Sequence, residues 1–257
     1  MSERVKQIVP ELLDEIKGVL KKHKVTFAEY RSAFEYLIGV QEAKEVPLML
    51  DALFNATIVE IENESRKGTR ADIQGPYYID EDYPIVTDEL PSRPEDAGAQ
   101  DMIIRGQVTD LDGTPVAGAM LDIWHSTPDG LYSGIHDNID RKYYRGRVVT
   151  GENGHYCVTS KLPVPYQIPN AGPTGDLLEK HLGRHSWRPA HIHFWARAEG
   201  KRDLINQAYF EGGEYVGDDC CDTDHLELVV PEVIEDGARV MEVNFVLEPA
   251  QAQLAAE

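Results

Sequence analysis

Val240-Met241-Glu242-Val243-Asn244-Phe245-Val246-Leu247 places Met241, Val243, Phe245 and Leu247 on one parity, alternating with Glu242, Asn244 and Val246. Large apolar side chains at every second position mark a strand with one face in a core. Working upstream, short runs of the same kind predict strands over residues 226–230, 190–197, 155–160, 116–124 and 102–109, punctuated by turn signals such as Asn153-Gly154 and Asp112-Gly113. No helical periodicity intervenes, so antiparallel pairing in a β-sandwich or barrel is expected. Before Gly75-Pro76 the pattern is different. Val5, Ile8, Val9, Leu12, Leu13, Ile16, Val19 and Leu20 recur with a 3.6-residue period, with Pro10 either kinking that helix or marking its start. Thr26 and Glu29 form a capping box for a second helix to about Val40, and a third runs over residues 46–64. The fold class expected is mostly β with an α-helical N-terminal unit, residues 1–75, and an antiparallel β-sandwich, residues 76–257.

The chain has 257 residues, with 25 Lys and Arg against 45 Asp and Glu, a formal net charge of -20. A surface of that sign repels phosphate backbones and anionic lipid headgroups, which argues against nucleic acid as a partner. The three cysteines, Cys157, Cys220 and Cys221, are a poor basis for a disulfide framework and suggest a reducing compartment. The charged opening lacks a signal-like apolar run, and no stretch is long and apolar enough to span a bilayer. A cytoplasmic location is expected.

The connections over residues 126–146 and 162–186 are long and rich in Gly, Pro, Asp and His, and such loops on a β scaffold are where function tends to sit. Between them and the core lies Arg188-Pro189-Ala190-His191-Ile192-His193-Phe194. On a strand His191 and His193 share a face roughly 6.6 Å apart, within reach of one metal ion; they also read as two ordinary histidines on a half-exposed strand. Two imidazoles leave a site incomplete. The adjacent Cys220-Cys221 pair lacks zinc-site spacing. Carboxylates such as Asp122, Asp129 or Asp137 are one completion. Phenolates such as Tyr132 or Tyr166 are another, provided the metal is a Lewis acid strong enough to displace a proton of pKa near 10. Either tyrosine taken alone reads more readily as a packed aromatic with a hydrogen-bonded hydroxyl than as a ligand. Tyr166 lies among Pro163, Pro165 and Pro169, which fix its backbone.

Four segments, in this order, carry a resemblance: Asp122-Ile123-Trp124-His125-Ser126-Thr127-Pro128-Asp129-Gly130-Leu131-Tyr132-Ser133; Arg145-Gly146-Arg147; the proline-rich stretch around Tyr166 with Ala171-Gly172-Pro173-Thr174-Gly175; and the histidine segment. The chain resembles the intradiol ring-cleavage dioxygenases, nearest their chlorocatechol 1,2-dioxygenase branch. The similarity includes the helical N-terminus, Ile73-Gln74-Gly75-Pro76-Tyr77-Tyr78 and Tyr209-Phe210-Glu211-Gly212-Gly213.

The resemblance implies one non-haem Fe(III) per subunit, held by Tyr132, Tyr166, His191 and His193. It further implies cleavage of catechol or chlorocatechols by dioxygen to cis,cis-muconates, with both oxygen atoms in the product. It assigns Tyr166 as a base on the catechol, Arg188 as the stabiliser of developing negative charge, and Gln207 a place beside the substrate. Leu48, Asp51, Ala52 and Ile73 fall at pocket positions of the family, as do Gly75, Pro76, Tyr77 and Cys221, the last in place of Cys220 by a one-residue choice of alignment. Small Ala52 leaves room for a ring substituent, although core packing explains it equally well. The helices are implied to form a homodimer interface that often holds a phospholipid. Catechol or hydroxyquinol without chloro preference is the alternative within this chemistry. A His/His/carboxylate metalloenzyme and a non-catalytic transthyretin-like binding module are the alternatives outside it.

Overall fold

The computed structural model describes residues 3–81, 83–136 and 138–250. The chain forms two compact units, Met1–Val46 and Pro47–Glu257. The first is helical. Helix α1 (Glu3–Lys22) continues through Pro10, and none of its residues is buried. Its apolar stripe is open, with Leu12 54% and Val19 55% exposed. Helix α2 (Phe27–Glu42) begins at the expected capping box: the Glu29 amide donates to the Thr26 hydroxyl, and the Thr26 amide donates to the Glu29 carboxylate at 2.7 Å.

The second unit opens on α3 (Val46–Leu50), a π-turn (Asp51–Asn55) and α4 (Ala56–Asn63), which together make up the expected third helix. The strands follow: β1 (Asp101–Asp110), β2 (Met120–His125), β3 (Arg145–Val149), β4 (His155–Lys161), β5 (Tyr166–Gln167), β6 (Trp187–Arg188), β7 (His191–Arg197), β8 (Leu204–Phe210), β9 (Val229–Val230), β10 (Val233–Glu235), β11 (Ala238–Glu242) and β12 (Phe245–Leu247).

Two five-stranded sheets result. One centres on β1, with β4 antiparallel along one edge and β11 then β12 along the other, β10 lying outside β11; the second has the order β3-β2-β7-β8-β9. The sandwich expectation holds, with an addition that alternation does not reveal. The pairings of β1 with β11 and β12, and of β8 with β9, are parallel, so both sheets are mixed.

The predicted strand over residues 240–247 is split between β11 and β12 because the chain presses onto β1 at the break. The Val243 amide donates to the Arg105 carbonyl, the Gln107 amide donates to the Asn244 side chain, and Tyr156 donates to the Val243 carbonyl at 2.7 Å. A side chain at Gly106 would strike the Val243 carbonyl oxygen at 1.7 Å, so the approach requires glycine there.

Alternation along the second sheet divides its residues between two environments. Leu121, Ile123, Ile192, Phe194 and Ala208 enter the core with Met102, Ile104, Val158, Met241 and Phe245 of the first sheet. On the opposite parity, Trp124, His191, His193, Gln207 and Tyr209 are buried on the other face. That second buried face is why β2 and β7 lack an exposed side, and it is where the polar residues gather.

Candidate functional site

His191 and His193 are the centre of this face. The ladders set His193 opposite Gln207 on one side and Trp124 on the other, and His191 opposite Tyr209. Their Nε2 atoms are 3.1 Å apart. The His191 Nδ1–H donates to the Pro189 carbonyl at 2.7 Å, which fixes the tautomer and leaves Nε2 unprotonated, its lone pair turned toward His193 and Arg188. Trp124 stacks on His193 with ring centres 4.7 Å apart and planes 6° from parallel. Burial pushes both histidines down, His191 to about 3, and the nearby Arg188 adds to the shift in each. Both imidazoles are therefore neutral at physiological pH, the form that ligates metals.

The long connections deliver two tyrosines. Tyr132 follows β2 through a turn closed by the Thr127 amide on the Leu131 carbonyl at 2.7 Å and by the Leu131 amide on the Thr127 hydroxyl. Arg145 of β3, fully buried, donates to the Ser133 hydroxyl and carbonyl and anchors the residue next to Tyr132. Tyr166 is carried by the short β5–β6 ladder, which pairs it with Arg188. The two phenol rings meet edge to face at 5.2 Å; Tyr166 lies 5.6 Å from the His191 ring and Tyr132 lies 6.4 Å from the His193 ring.

Burial pushes Tyr132 up to about 12 and Tyr166 well above its ordinary value, so neither phenol ionises without a strong positive charge beside it. The Tyr132 hydroxyl, although close enough to Tyr166 to feel it, has no hydrogen-bond partner of good geometry. A buried hydroxyl left in that state is the mark of a position built for a further group. Two neutral imidazoles and two phenols converging on one point fit a trivalent, strongly Lewis-acidic ion such as Fe(III).

Two of the three carboxylates considered as completions are committed elsewhere. Asp122 is engaged by Arg147 at 3.0 Å, Arg197 at 2.7 Å and the Tyr78 hydroxyl at 2.8 Å, and Asp129 by Arg93 at 2.7 Å. Asp137 lies outside the described residues. Among the described residues, the one group of three or more His, Cys, Asp and Glu residues whose ligand atoms lie within 4.8 Å of one another is Asp219 with Cys220 and Cys221, and it includes neither histidine.

Arg188 lies beside the histidines, almost fully buried. Its Nη1 is 3.3 Å from His191 Nε2, while Nη2 is within 3.0 Å of the Gln207 amide oxygen and the Tyr209 hydroxyl and 2.7 Å from the Thr223 hydroxyl. Gln207 in turn donates to the Ile73 carbonyl at 2.7 Å. Asp219, Thr223 and Tyr209 complete this network, and none of them was singled out in the sequence as a site residue. Tyr209 stands two residues from Gln207 on β8 and so on the same face of the strand, a spacing readable from the sequence. Asp219 and Thr223 lie in a loop that the sequence does not tie to Arg188.

The expected pocket residues divide. Ala52, Ile73, Tyr77 and Cys221 are buried in one cluster with Tyr132, Tyr166 and Trp124, and Leu48 packs on it. Tyr77 rests on Tyr132 with ring centres 4.5 Å apart. Gly75, at φ +71°, brings its backbone to His193, where an added Cβ would lie 3.6 Å from the imidazole. Asp51 is half-buried and accepts a hydrogen bond from Asn55, and Pro76 is exposed; neither joins that cluster. Cys220 is buried in the cluster as well, so both cysteines of the pair are there.

Comparison with known proteins matches this architecture along the whole chain. Residues 2–70 match the family described as "Catechol dioxygenase N terminus" and residues 73–249 the family described as "Dioxygenase". The chain is 48% identical over 251 residues to a chlorocatechol 1,2-dioxygenase of Pseudomonas sp. (strain P51), covering 98% of this chain and 99% of that protein. It is 31% identical to a catechol 1,2-dioxygenase of Acinetobacter baylyi, covering 96% and 82%. The crystal structure of a chlorocatechol 1,2-dioxygenase from Pseudomonas putida superposes with a TM-score of 0.92 at 47% identity, covering 96% of this chain and all of that one. With both family matches in place and full-length relatives at this identity, the chain belongs to the intradiol dioxygenase family.

Proposed function

We propose that the protein is a chlorocatechol 1,2-dioxygenase, cleaving the ring between the two hydroxyl-bearing carbons of chlorocatechols and catechol and releasing cis,cis-muconates that carry both atoms of dioxygen. The observation that carries this reading is the convergence of two neutral imidazoles and two buried phenols, one without a hydrogen-bond partner, next to a buried guanidinium. Tyr132, Tyr166, His191 and His193 would hold one non-haem Fe(III) per subunit. When bound, that ion supplies the Lewis acidity that ionises phenols and catechol hydroxyls and activates the ring toward dioxygen.

The chain's own residues do the rest. Tyr166 Oη receives a catechol proton as base, from a backbone fixed by its proline-rich flanks and the pairing with Arg188. Arg188 Nη1 faces the reacting centre and stabilises negative charge developing there, worth more in a dry site than in water. Gln207 holds the far side of the guanidinium and ties it to Ile73 in the pocket wall. Leu48, Ala52, Ile73, Gly75, Tyr77 and Cys221 line the substrate side, with Asp51 and Pro76 at its margin.

Preference for chlorinated rings rests on the higher identity to the chlorocatechol enzyme than to the catechol enzyme. Catechol or hydroxyquinol cleavage without chloro preference is the competing specificity. Comparing kcat/KM on chlorocatechols, catechol and hydroxyquinol, with muconates identified by mass, decides between them: faster turnover of plain catechol or hydroxyquinol would overturn the chloro preference.

Residues 1–75 are proposed as the dimerisation and linker unit and residues 76–257 as the catalytic one, a division supported by the family matches meeting between residues 70 and 73. A homodimer through the open apolar stripe of α1, with room for a phospholipid acyl chain, gives that stripe a burial it otherwise lacks. Among the described residues no helix is long and apolar enough to cross a membrane, and a cytoplasmic location fits the unpaired cysteines.

A further inference from the structure

Cys220 and Cys221 have no part in the proposed chemistry beyond pocket lining, yet their arrangement is specific. Their sulfurs are 3.7 Å apart, in contact but unbonded, and both residues are buried. The backbone on each side is fixed: the Cys220 amide donates to the Trp187 carbonyl at 3.1 Å, Arg184 donates to the Cys220 carbonyl at 2.9 Å, and the Cys221 amide donates to Asp219 Oδ1 at 3.0 Å. A cavity of about 320 Å³, lined by Arg184, His185, Asp218, Cys220 and Asp222 among others, opens onto Cys220 and so gives access to the first sulfur of the pair. The neighbouring carboxylate does not complete a three-ligand cation site, because Asp219 is already engaged by Arg188, Thr223 and the Cys221 amide.

Two adjacent sulfurs with no free third ligand suit a soft centre that brings its own third substituent. We propose that Cys220 and Cys221 form a dithiol site for uncharged trivalent arsenicals of the type R–As=O, captured as a cyclic dithioarsenite. The arsenic–oxygen double bond breaks, two arsenic–sulfur bonds form, and both thiol protons leave with the oxygen as one water; no electrons are transferred. Because the probe is uncharged, the acidic residues around the cavity do not repel it. The thiol–thiol hydrogen bond and burial hold Cys220 protonated, which suits a condensation that carries its protons away as water.

The test is titration of the iron-loaded enzyme with phenylarsine oxide, followed by intact mass and by a count of titratable thiols under denaturing conditions. Both are read without substrate, so they stand whatever reaction the histidine–tyrosine site performs. The expected result is one phenylarsenic group per chain, loss of two of the three thiols, release by 2,3-dimercaptopropanol but not by excess 2-mercaptoethanol, and ring cleavage falling in step with occupancy. Cys157→Ser, at an exposed position on β4, should take up the probe as the wild type does, and Cys220→Ser should not. Uptake retained in Cys220→Ser, release from the wild type by the monothiol, or no uptake at all would each overturn the proposal; the last two need no variant to fold.

Discussion

Arg188 meets Asp219 along one edge of its guanidinium: Nε lies 3.1 and 3.2 Å from the two carboxylate oxygens and Nη2 lies 2.9 Å from Oδ2, with both side chains out of solvent. The opposite nitrogen, Nη1, is left facing His191. Burial works against ionising Asp219, yet Arg188 holds its carboxyl below the usual carboxylate range, while Asp219 in turn helps keep Arg188 charged. The positive charge next to the histidines is thus aimed as well as present.

Replacing Arg188 with lysine keeps the charge and loses the edge-on geometry. Turnover should fall about 100- to 1000-fold, roughly 2.7–4 kcal/mol of barrier, while iron content and the anaerobic catechol spectrum survive. Asp219→Asn should lower turnover with a much smaller effect on KM and destabilise the fold by about 3–5 kcal/mol, since it leaves a buried cation without its counter-charge. Steady-state kinetics, iron assay and thermal melts on the same preparations check both.

The two tyrosines should separate. Tyr132 buries a hydroxyl with no good hydrogen-bond partner, so Tyr132→Phe should stabilise the iron-free protein by about 1–3 kcal/mol while weakening iron retention. Tyr166→Phe should shift the visible band and, in addition, slow catechol deprotonation. Denaturant unfolding of apo-protein and stopped-flow catechol binding measure the two effects. Wild-type turnover in Tyr166→Phe would contradict its role as base.

How much of this was legible depends on the period of the signal. The His191–His193 spacing placed both imidazoles on one face because a strand repeats every two residues, and the Thr26–Glu29 pair announced the start of α2 for equally local reasons. The alternation of Met241, Val243, Phe245 and Leu247 gave a strand but hid its interruption, since the cause is Gly106 in another strand. β3 is absent from the expected strands, and its first two residues fall in the expected connection 126–146, because Arg145 and Arg147 are charged residues that are satisfied internally, Arg145 by Ser133 and Arg147 by Asp122. Asp219 reaches Arg188 across 31 positions, a distance over which the sequence carries no periodic signal. Residue chemistry offers Tyr132 and Tyr166 only as one completion beside the carboxylates, and family resemblance is what selects them, since their approach to each other is made by two long loops.

A buried acid beside this network gives a pH signature. Asp72 has its carboxyl pushed up to about 7, chiefly by burial and against the pull of Arg188, from an ordinary 3.8. Between those values the unfolded chain releases a proton that the folded one keeps, so this residue's stabilising contribution is complete below pH 3.8, is lost as pH rises toward 7, and then stays lost. The whole interval is worth on the order of 4 kcal/mol. Asp72→Asn retains an oxygen for the Ile73 amide and can donate to Tyr209. It should therefore raise the Tm at pH 8 and have little effect near pH 4, as read from melts across that range.

The open stripe of α1 predicts association. Leu12→Glu and Ile16→Glu together should convert a dimer to monomers in analytical ultracentrifugation while the catalytic unit keeps its iron, because both positions are close to half-exposed in the single chain. A wild-type monomer at micromolar concentration would contradict the proposed interface.

The most direct measurement of the central claim is the visible spectrum of the purified protein together with its metal content, before and after His193→Ala. Tyrosinate ligation of ferric iron predicts a red-brown protein with about one iron per chain, whose colour changes on anaerobic addition of catechol and is lost with the metal in His193→Ala. A colourless wild-type protein, or one holding zinc or no stoichiometric metal while still cleaving catechol, would contradict it.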